Sequence, residues 1–301
     1  MLSNTPGGYV LTNATTFPVA AIGLCESAAA RGEDEARHQR IGDRLGRETR
    51  LFEATGLEPG ELVAIVGAGG KTTTMFGLAA EMVAVGRRVV TAKTTQISPP
   101  TLREANHLFI ADDLGHALDR LPDLLAEHRH VTLASRHQRP DLIQGLSDAW
   151  VEAIRGLASV DNMILEADGA RHRLLKAPAA HEPVMPSGVT LLLAVASVRV
   201  VGLPLREEHV HRLEEVARLT GLAPGDTVGE AAVASVIGSP EGGLKSAPRG
   251  GRAWAVLNWV DPQRLDSARK IAGFLDGVAG LEGCVFSWYS HPAIPPWYSL
   301  P

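Results

Sequence analysis

The chain has 301 residues, 45% of them hydrophobic, enough to bury one large core or two small ones. A net charge of −5, a pI near 6.1 and the absence of any run of Lys or Arg argue against nucleic acid or an anionic membrane surface as the main partner. Two cysteines, Cys25 and Cys284, are too few for a disulfide framework or a zinc cluster, and no stretch reaches the roughly 20 apolar residues of a membrane-spanning helix.

Residues 1–50 differ from the rest. Up to residue 30 they are rich in Ala, Thr, Ser and Gly without clear periodicity, and 31–50 are dense in charge with room for a short helix. They read as a weakly structured N-terminal extension. The apolar stretch 17–24 has no Lys or Arg before it, so it lacks the basic start of an export signal, and a cytoplasmic protein is expected.

Ordered structure is expected from Leu51 onward. Residues 62–66 form a continuous apolar run, the pattern of a strand buried on both faces. A glycine turn follows, then a helix over 73–85 closed by Gly86, and a strand at 88–91. Strand, helix and strand within about 30 residues make a βαβ unit with a right-handed crossover and a parallel sheet. The alternation continues with strands at 108–110, 130–134, 162–165 and 189–195, and helices at 114–127 and 147–157. It then breaks for a helical insertion at 204–250. Here 206–219 is amphipathic, and Thr227 with Glu230 forms a capping-box pattern opening a second helix that runs to 237. A strand at 253–257, a helix from Pro262 and a strand at 284–287 complete the chain. The fold class predicted is α/β, a three-layer P-loop NTPase-like parallel sheet occupying 51–301.

Gly67-Ala68-Gly69-Gly70-Lys71-Thr72-Thr73 sits between the first strand and its helix. Such a loop aims backbone N–H groups and a helix N-terminus at a polyphosphate, its Lys reaches the β- and γ-phosphates, and the following hydroxyl holds Mg²⁺. ATP or GTP with Mg²⁺ are the cofactors this implies. The strict eight-residue pattern would need glycine at Ile65, so the loop is of a shorter kind, similar to that of the Mur-type peptide ligases. Glu166 and Asp168 follow the strand at 162–165 and, on extended backbone, point the same way, as metal-holding carboxylates would. Asp168-Gly169 also reads as an ordinary acidic turn. Thr94 and Thr95 could approach the same metal or lie in a solvated loop. Asn258 and Asp261 have the spacing of the N-K-x-D motif, whose Asp accepts from guanine, but Trp259 stands in place of Lys, and an ordinary strand-end turn fits as well.

Taken with Lys176-Ala-Pro-Ala-Ala-His181-Glu182-Pro183, His211-Arg212 and Glu241-Gly-Gly-Leu-Lys245, these motifs make the chain resemble the YqeC-type accessory proteins of selenium-dependent molybdenum hydroxylases, from about residue 51 to 261. The resemblance implies a P-loop fold and a role in maturing a selenium-containing molybdenum cofactor. Trp259 departs from that family's usual Lys and puts guanine preference in doubt.

The segment 167–186 leaves the sheet where ligands bind in α/β proteins. Only five basic side chains are lysines, at 71, 93, 176, 245 and 270, so Lys176 is a candidate contact for the γ-phosphate or an anionic second substrate. His181 and Glu182 could transfer protons or bind metal. The same three residues also read as a structural network pinning the loop. Three functions follow: an NTP-dependent enzyme acting on a small, cofactor-like second substrate; a slow GTPase switch delivering cofactor to an apo-molybdenum hydroxylase; and a Mur-like ATP-dependent ligase.

Overall fold

The computed structural model of the protein describes residues 3–5, 8–12, 22–26, 50–95, 107–136 and 143–287. The short helix expected within the charged stretch before Arg50 lies outside them. In chain order the strands are β1 (Ser3–Thr5), β2 (Gly8–Thr12), β3 (Ile22–Glu26), β4 (Leu62–Gly67), β5 (Val89–Lys93), β6 (His107–Ala111) and β7 (His130–Arg136). They continue with β8 (Ile143–Gln144), β9 (Asn162–Glu166), β10 (Leu175–Lys176), β11 (Leu191–Ser197), β12 (Val210–His211), β13 (Arg252–Asn258) and β14 (Gly283–Ser287). The helices are α1 (Leu51–Ala54), α2 (Lys71–Ala84), α3 (Leu114–His128), α4 (Asp148–Arg155), α5 (Leu213–Thr220), α6 (Glu230–Gly238) and α7 (Leu265–Leu275).

Eight strands run parallel in the order β6-β7-β5-β9-β4-β11-β13-β14. Antiparallel strands extend both edges, β2 and β1 beyond β6, and β3 beyond β14. The chain leaves β4 toward β5 on one side, whereas β11, β13 and β14 add to the other. The carboxyl end of β4 is therefore the switch point at which open α/β sheets bind ligands.

Strand alternation builds the layers. In β4, Leu62, Ala64 and Val66 join one core cluster, and Val63 and Ile65 the other. Beneath Val63 and Ile65 lie α1 and α2, through Leu51, Met75, Leu78 and Met82. Against the opposite face pack α3, α4, α6 and α7, through Leu121, Ile154, Ile237 and Ile271 among others. Each large aliphatic side chain so buried stabilises the fold by roughly 1.5–3 kcal/mol. The result is the three-layer P-loop NTPase-like architecture. No helix among the described residues is long and apolar enough to cross a membrane.

The insertion departs from its sequence pattern at two points. The helix expected from residue 206 begins only at Leu213, because Arg212 adopts a left-handed conformation (φ 65°) that α-helix cannot include. The residues before it are drawn into parallel pairing with the loop after β9, Leu175 opposite Val210 and Lys176 opposite His211. The second helix is capped by Gly229 without a side-chain bond, since Thr227 is held opposite Pro204 in an isolated bridge.

One buried carboxyl belongs to the fold rather than the site. Glu81 of α2 is 1% exposed; its Oε2 accepts from the Phe52 amide at 3.2 Å and its Oε1 has no hydrogen-bond partner among the described residues. Burial pushes its pKa up to about 7, against the pull of the Phe52 and Leu51 amides. A folded pKa above the unfolded one gives stability that is complete below about pH 4.5 and lost as pH rises through about 7. Between pH 5 and 8 the wild type is expected to lose up to about 3 kcal/mol by urea unfolding, and Glu81→Gln to flatten that slope. Parallel pH profiles for the two chains would refute this assignment.

Candidate functional site

The loop 67–73 is a concave backbone surface at the end of β4. Gly67, Gly69 and Gly70 have φ of 95°, 74° and 127°, values that side-chain-bearing residues avoid. Close approach excludes a side chain as well. A Cβ on Gly67 would lie 2.2 Å from the Val195 carbonyl oxygen, and one on Gly70 2.3 Å from Asn258 Nδ2. The Gly67 amide donates to Asp168 Oδ2 at 3.1 Å and the Ala68 amide to the Val195 carbonyl at 2.9 Å. The next five amides, of Gly69, Gly70, Lys71, Thr72 and Thr73, donate to no acceptor among the described residues. With Gly70 as N-cap, they ring the N-terminus of α2, where the helix dipole is positive.

Lys71 is 4% exposed and donates to the Gly67 carbonyl at 2.7 Å. Its Nζ lies 3.2 Å from Asp168 Oδ1 and 3.7 Å from Glu166 Oε1, so both carboxylates at the end of β9 face the loop. Burial alone would lower the Lys71 pKa, but Asp168 and Glu166 outweigh it and hold the ammonium charged. Glu166 is itself held below the usual carboxylate range. Burial opposes its charge, but Lys93 and Lys71 together outweigh that. Lys93, directly across the ladder from Glu166, places its Nζ 3.0 Å from Oε2.

The loop after β9 is closed by a second buried cation. The Lys176 side chain is 0% exposed, and its Nζ reaches the Gly169 carbonyl at 2.6 Å, Asp168 Oδ2 at 3.0 Å and Glu182 Oε1 at 3.1 Å. An ammonium has three protons, so these partners saturate it. Lys176 thus links Asp168, Glu182 and the Gly169 carbonyl within the loop. Glu182 also accepts from the Ala179 amide at 3.0 Å and faces Arg212 at 3.3 Å. Burial works against its charge, yet that amide, Lys176 and Arg212 bring its pKa down to about 2. His181 is exposed and stands outside this network. Lys245, from the insertion, donates to the Ala179 and Ala180 carbonyls at 2.6 and 3.1 Å and fastens the loop from the other side. Four of the chain's five lysines therefore converge here, Lys270 being the exception.

The donor set can be weighed against Mg²⁺. Thr72 Oγ1 donates to Glu166 Oε2 at 2.8 Å, which sets two hard oxygen atoms side by side at the mouth of α2. No group of three or more His, Cys, Asp or Glu that could cage a metal occurs among the described residues. Two protein oxygens fit a Mg²⁺ that takes its remaining ligands from phosphate and water, and not a metal bound by protein alone. Asp168, engaged by Gly67 and two lysines, is placed behind Lys71. Thr94 turns away and donates to the Val184 carbonyl at 2.9 Å.

At the far end of β13, Asn258 Nδ2 donates to the Gly69 carbonyl at 3.2 Å and Thr74 Oγ1 at 3.1 Å, while its Oδ1 accepts from Ser287. The carboxamide thus ties the glycine loop to β13 and β14. Asp261 is held by the Arg264 backbone amide at 3.0 Å and by its guanidinium. Trp259 is left-handed (φ 63°) and covered by Arg199, 5.0 Å from its ring centre.

Sheet order, glycine loop and flanking helix together define a P-loop NTPase-like α/β protein. A family profile described as "YqeC protein" matches residues 63–214. The chain is also 32% identical over 201 residues, 65% of its length, to "Uncharacterized protein YqeC" of Escherichia coli (strain K12), of which the match covers 75%. The chain belongs to the YqeC family. The profile takes in the glycine loop, both carboxylates at the end of β9, the Lys176–Glu182 pair and Arg212, and stops short of Asn258. Motif spacing does not single out Lys93, Arg212 or Lys245 as site residues; for Lys93 and Lys245 the scarcity of lysine is the signal that the sequence offers.

Proposed function

We propose that the protein is a Mg²⁺-dependent enzyme that binds ATP or GTP at residues 67–73 and uses it in maturing the selenium-containing molybdenum cofactor of hydroxylases, in the cytoplasm. The observation that carries the nucleotide reading is the set of five successive amides above Lys71, at the start of α2, that engage no acceptor among the described residues. Successive backbone N–H groups left without a protein acceptor at a helix N-terminus form the kind of concavity that receives polyphosphate. The cofactor assignment rests on the resemblance to YqeC-type accessory proteins.

In this reading the Gly69–Thr73 amides hold the phosphates, and Lys71, now donating to the Gly67 carbonyl, meets the β,γ charge. Mg²⁺ would neutralise developing charge on the phosphoryl oxygens, held through Thr72 and Glu166. Asp168 keeps Lys71 charged and Gly67 in place. The GTPase-switch reading draws less support, because Asp261 would have to exchange Arg264 for the guanine donors. The Mur-like reading rests on the loop alone. Phosphate release from ATP or GTP by the full chain tests the proposal. Turnover should require Mg²⁺ and fall at least about a hundredfold in Lys71→Ala, the scale of losing one preorganised charge-stabilising group. Undiminished turnover in a folded Lys71→Ala chain would overturn it.

A further inference from the structure

A pocket of about 390 Å³ opens between the turn after β9 and the start of the insertion. Its floor is Val210, His211 and Arg173, and Arg171, Arg212 and Glu214 stand at its rim. Its size falls in the range of small-molecule sites. Arg171 and Arg173 have no carboxylate within ion-pair distance among the described residues, and Arg212 is shared with Glu182 at 3.3 Å. Of the acidic neighbours, Glu215 is already paired with Arg218 at 3.1 Å, while Glu207 and Glu214 are exposed to solvent. The charged group on that floor is Arg173. His211 is driven down to about 4 by burial and then by Lys176, Arg212 and Arg171, with Glu182 opposing.

The pocket is built on strained backbone. Arg171 (φ 48°) and His172 (φ 59°) occupy the two central positions of a tight turn closed by the Arg173 amide on the Ala170 carbonyl at 2.9 Å. Those positions favour Asn and Gly, because a side chain in the left-handed region crowds the following carbonyl. Arg212, across the pocket, is left-handed as well. Two of the six non-glycine residues with positive φ among the described residues, Arg171 and Arg212, thus line one cavity, and a third, His172, sits between its lining residues Arg171 and Arg173; such strain concentrates at functional sites. The pocket is also coupled to the phosphate loop. A Cβ on Gly69 would lie 2.6 Å from the carbonyl oxygen of Leu174, next to Arg173. A continuous ionic path runs from Arg212 through Glu182, Lys176 and Asp168 to Lys71.

We propose that this pocket is the second-substrate subsite of the enzyme, and that it takes a small molecule bearing a phosphate group, read by Arg171 and Arg173 with His211 at the floor. The assignment rests on the nucleotide reading above for its role, but not for its binding chemistry. Guanidinium forks match phosphate bidentately, and unpaired ones in a cavity are free to do so.

Calorimetric titration of inorganic phosphate into the full chain tests it, with an excess of Mg²⁺ and a non-hydrolysable ATP analogue present so that the P-loop is not counted and no phosphate is released. Saturable binding is expected, weakened at least tenfold in Arg171→Gln/Arg173→Gln and not reproduced by chloride at equal ionic strength. Arg171 is exposed and Arg173 half-buried, and neither holds a carboxylate among the described residues, so this variant should fold. Circular dichroism checks that it does. Equal phosphate binding by wild type and double variant would overturn the proposal, as would no binding by wild type. If the wild type binds phosphate but no nucleotide, the P-loop reading fails while the phosphate pocket stands.

Discussion

Lys176→Met is expected to lower the unfolding free energy by about 3–5 kcal/mol, the scale for removing one partner of a buried ion network. The substitution keeps the side-chain stem but leaves Asp168, 2% exposed, with one cation in place of two, and Glu182 with Arg212 alone. It also frees the Gly169 carbonyl. A substrate contact would behave differently, because its loss reduces binding with little change in stability. Urea unfolding of the full chain separates the two, and a loss below about 1 kcal/mol would contradict the structural role.

Gly67→Ala is expected to cost about 3 kcal/mol or more, combining left-handed strain with overpacking. The new methyl would meet the Val195 carbonyl at 2.2 Å, and that carbonyl is fixed in the β4–β11 ladder and already accepts from Ala68. Gly86→Ala is the control. Its φ is 85°, but nothing lies within 4 Å of an added Cβ, so only the conformational cost of about 1–2 kcal/mol remains. Because the loop must open to admit the methyl, Gly67→Ala should also weaken nucleotide binding, whereas Gly86→Ala should not. Equal thermal shifts for the two variants would show that the close approach at Gly67 is not a constraint.

The sheet is largely legible in the sequence because strands buried on both faces announce themselves as continuous apolar runs, as in 62–66 and 189–195. The start of the insertion is not. Val210, Leu213 and Ala217 keep helical spacing straight through a left-handed residue that sequence periodicity does not register. The same event hides the site's second half. Leu175 and Lys176 are held by strand pairing with residues 34 or more positions on, so neither the burial of Lys176 nor the pocket beyond it follows from local pattern. Glu166 and Asp168, by contrast, both face Lys71 as alternation along the strand suggests, although β9 ends at Glu166 and the Gly67 amide and Lys176 hold Asp168 beyond it. Asn258 illustrates the remaining limit of a motif: its spacing suggests a base contact, while the fold turns the carboxamide onto the Gly69 carbonyl.

Residues 67–73 are expected to grip phosphate, not a base or a sugar. Calorimetric titration of the full chain with ATP and GTP beside adenosine and guanosine, in Mg²⁺, measures this most directly. The triphosphates should bind at one site per chain and the nucleosides at least a hundredfold more weakly. Nucleosides binding as tightly as triphosphates, or no heat from either triphosphate at millimolar concentration, would contradict it.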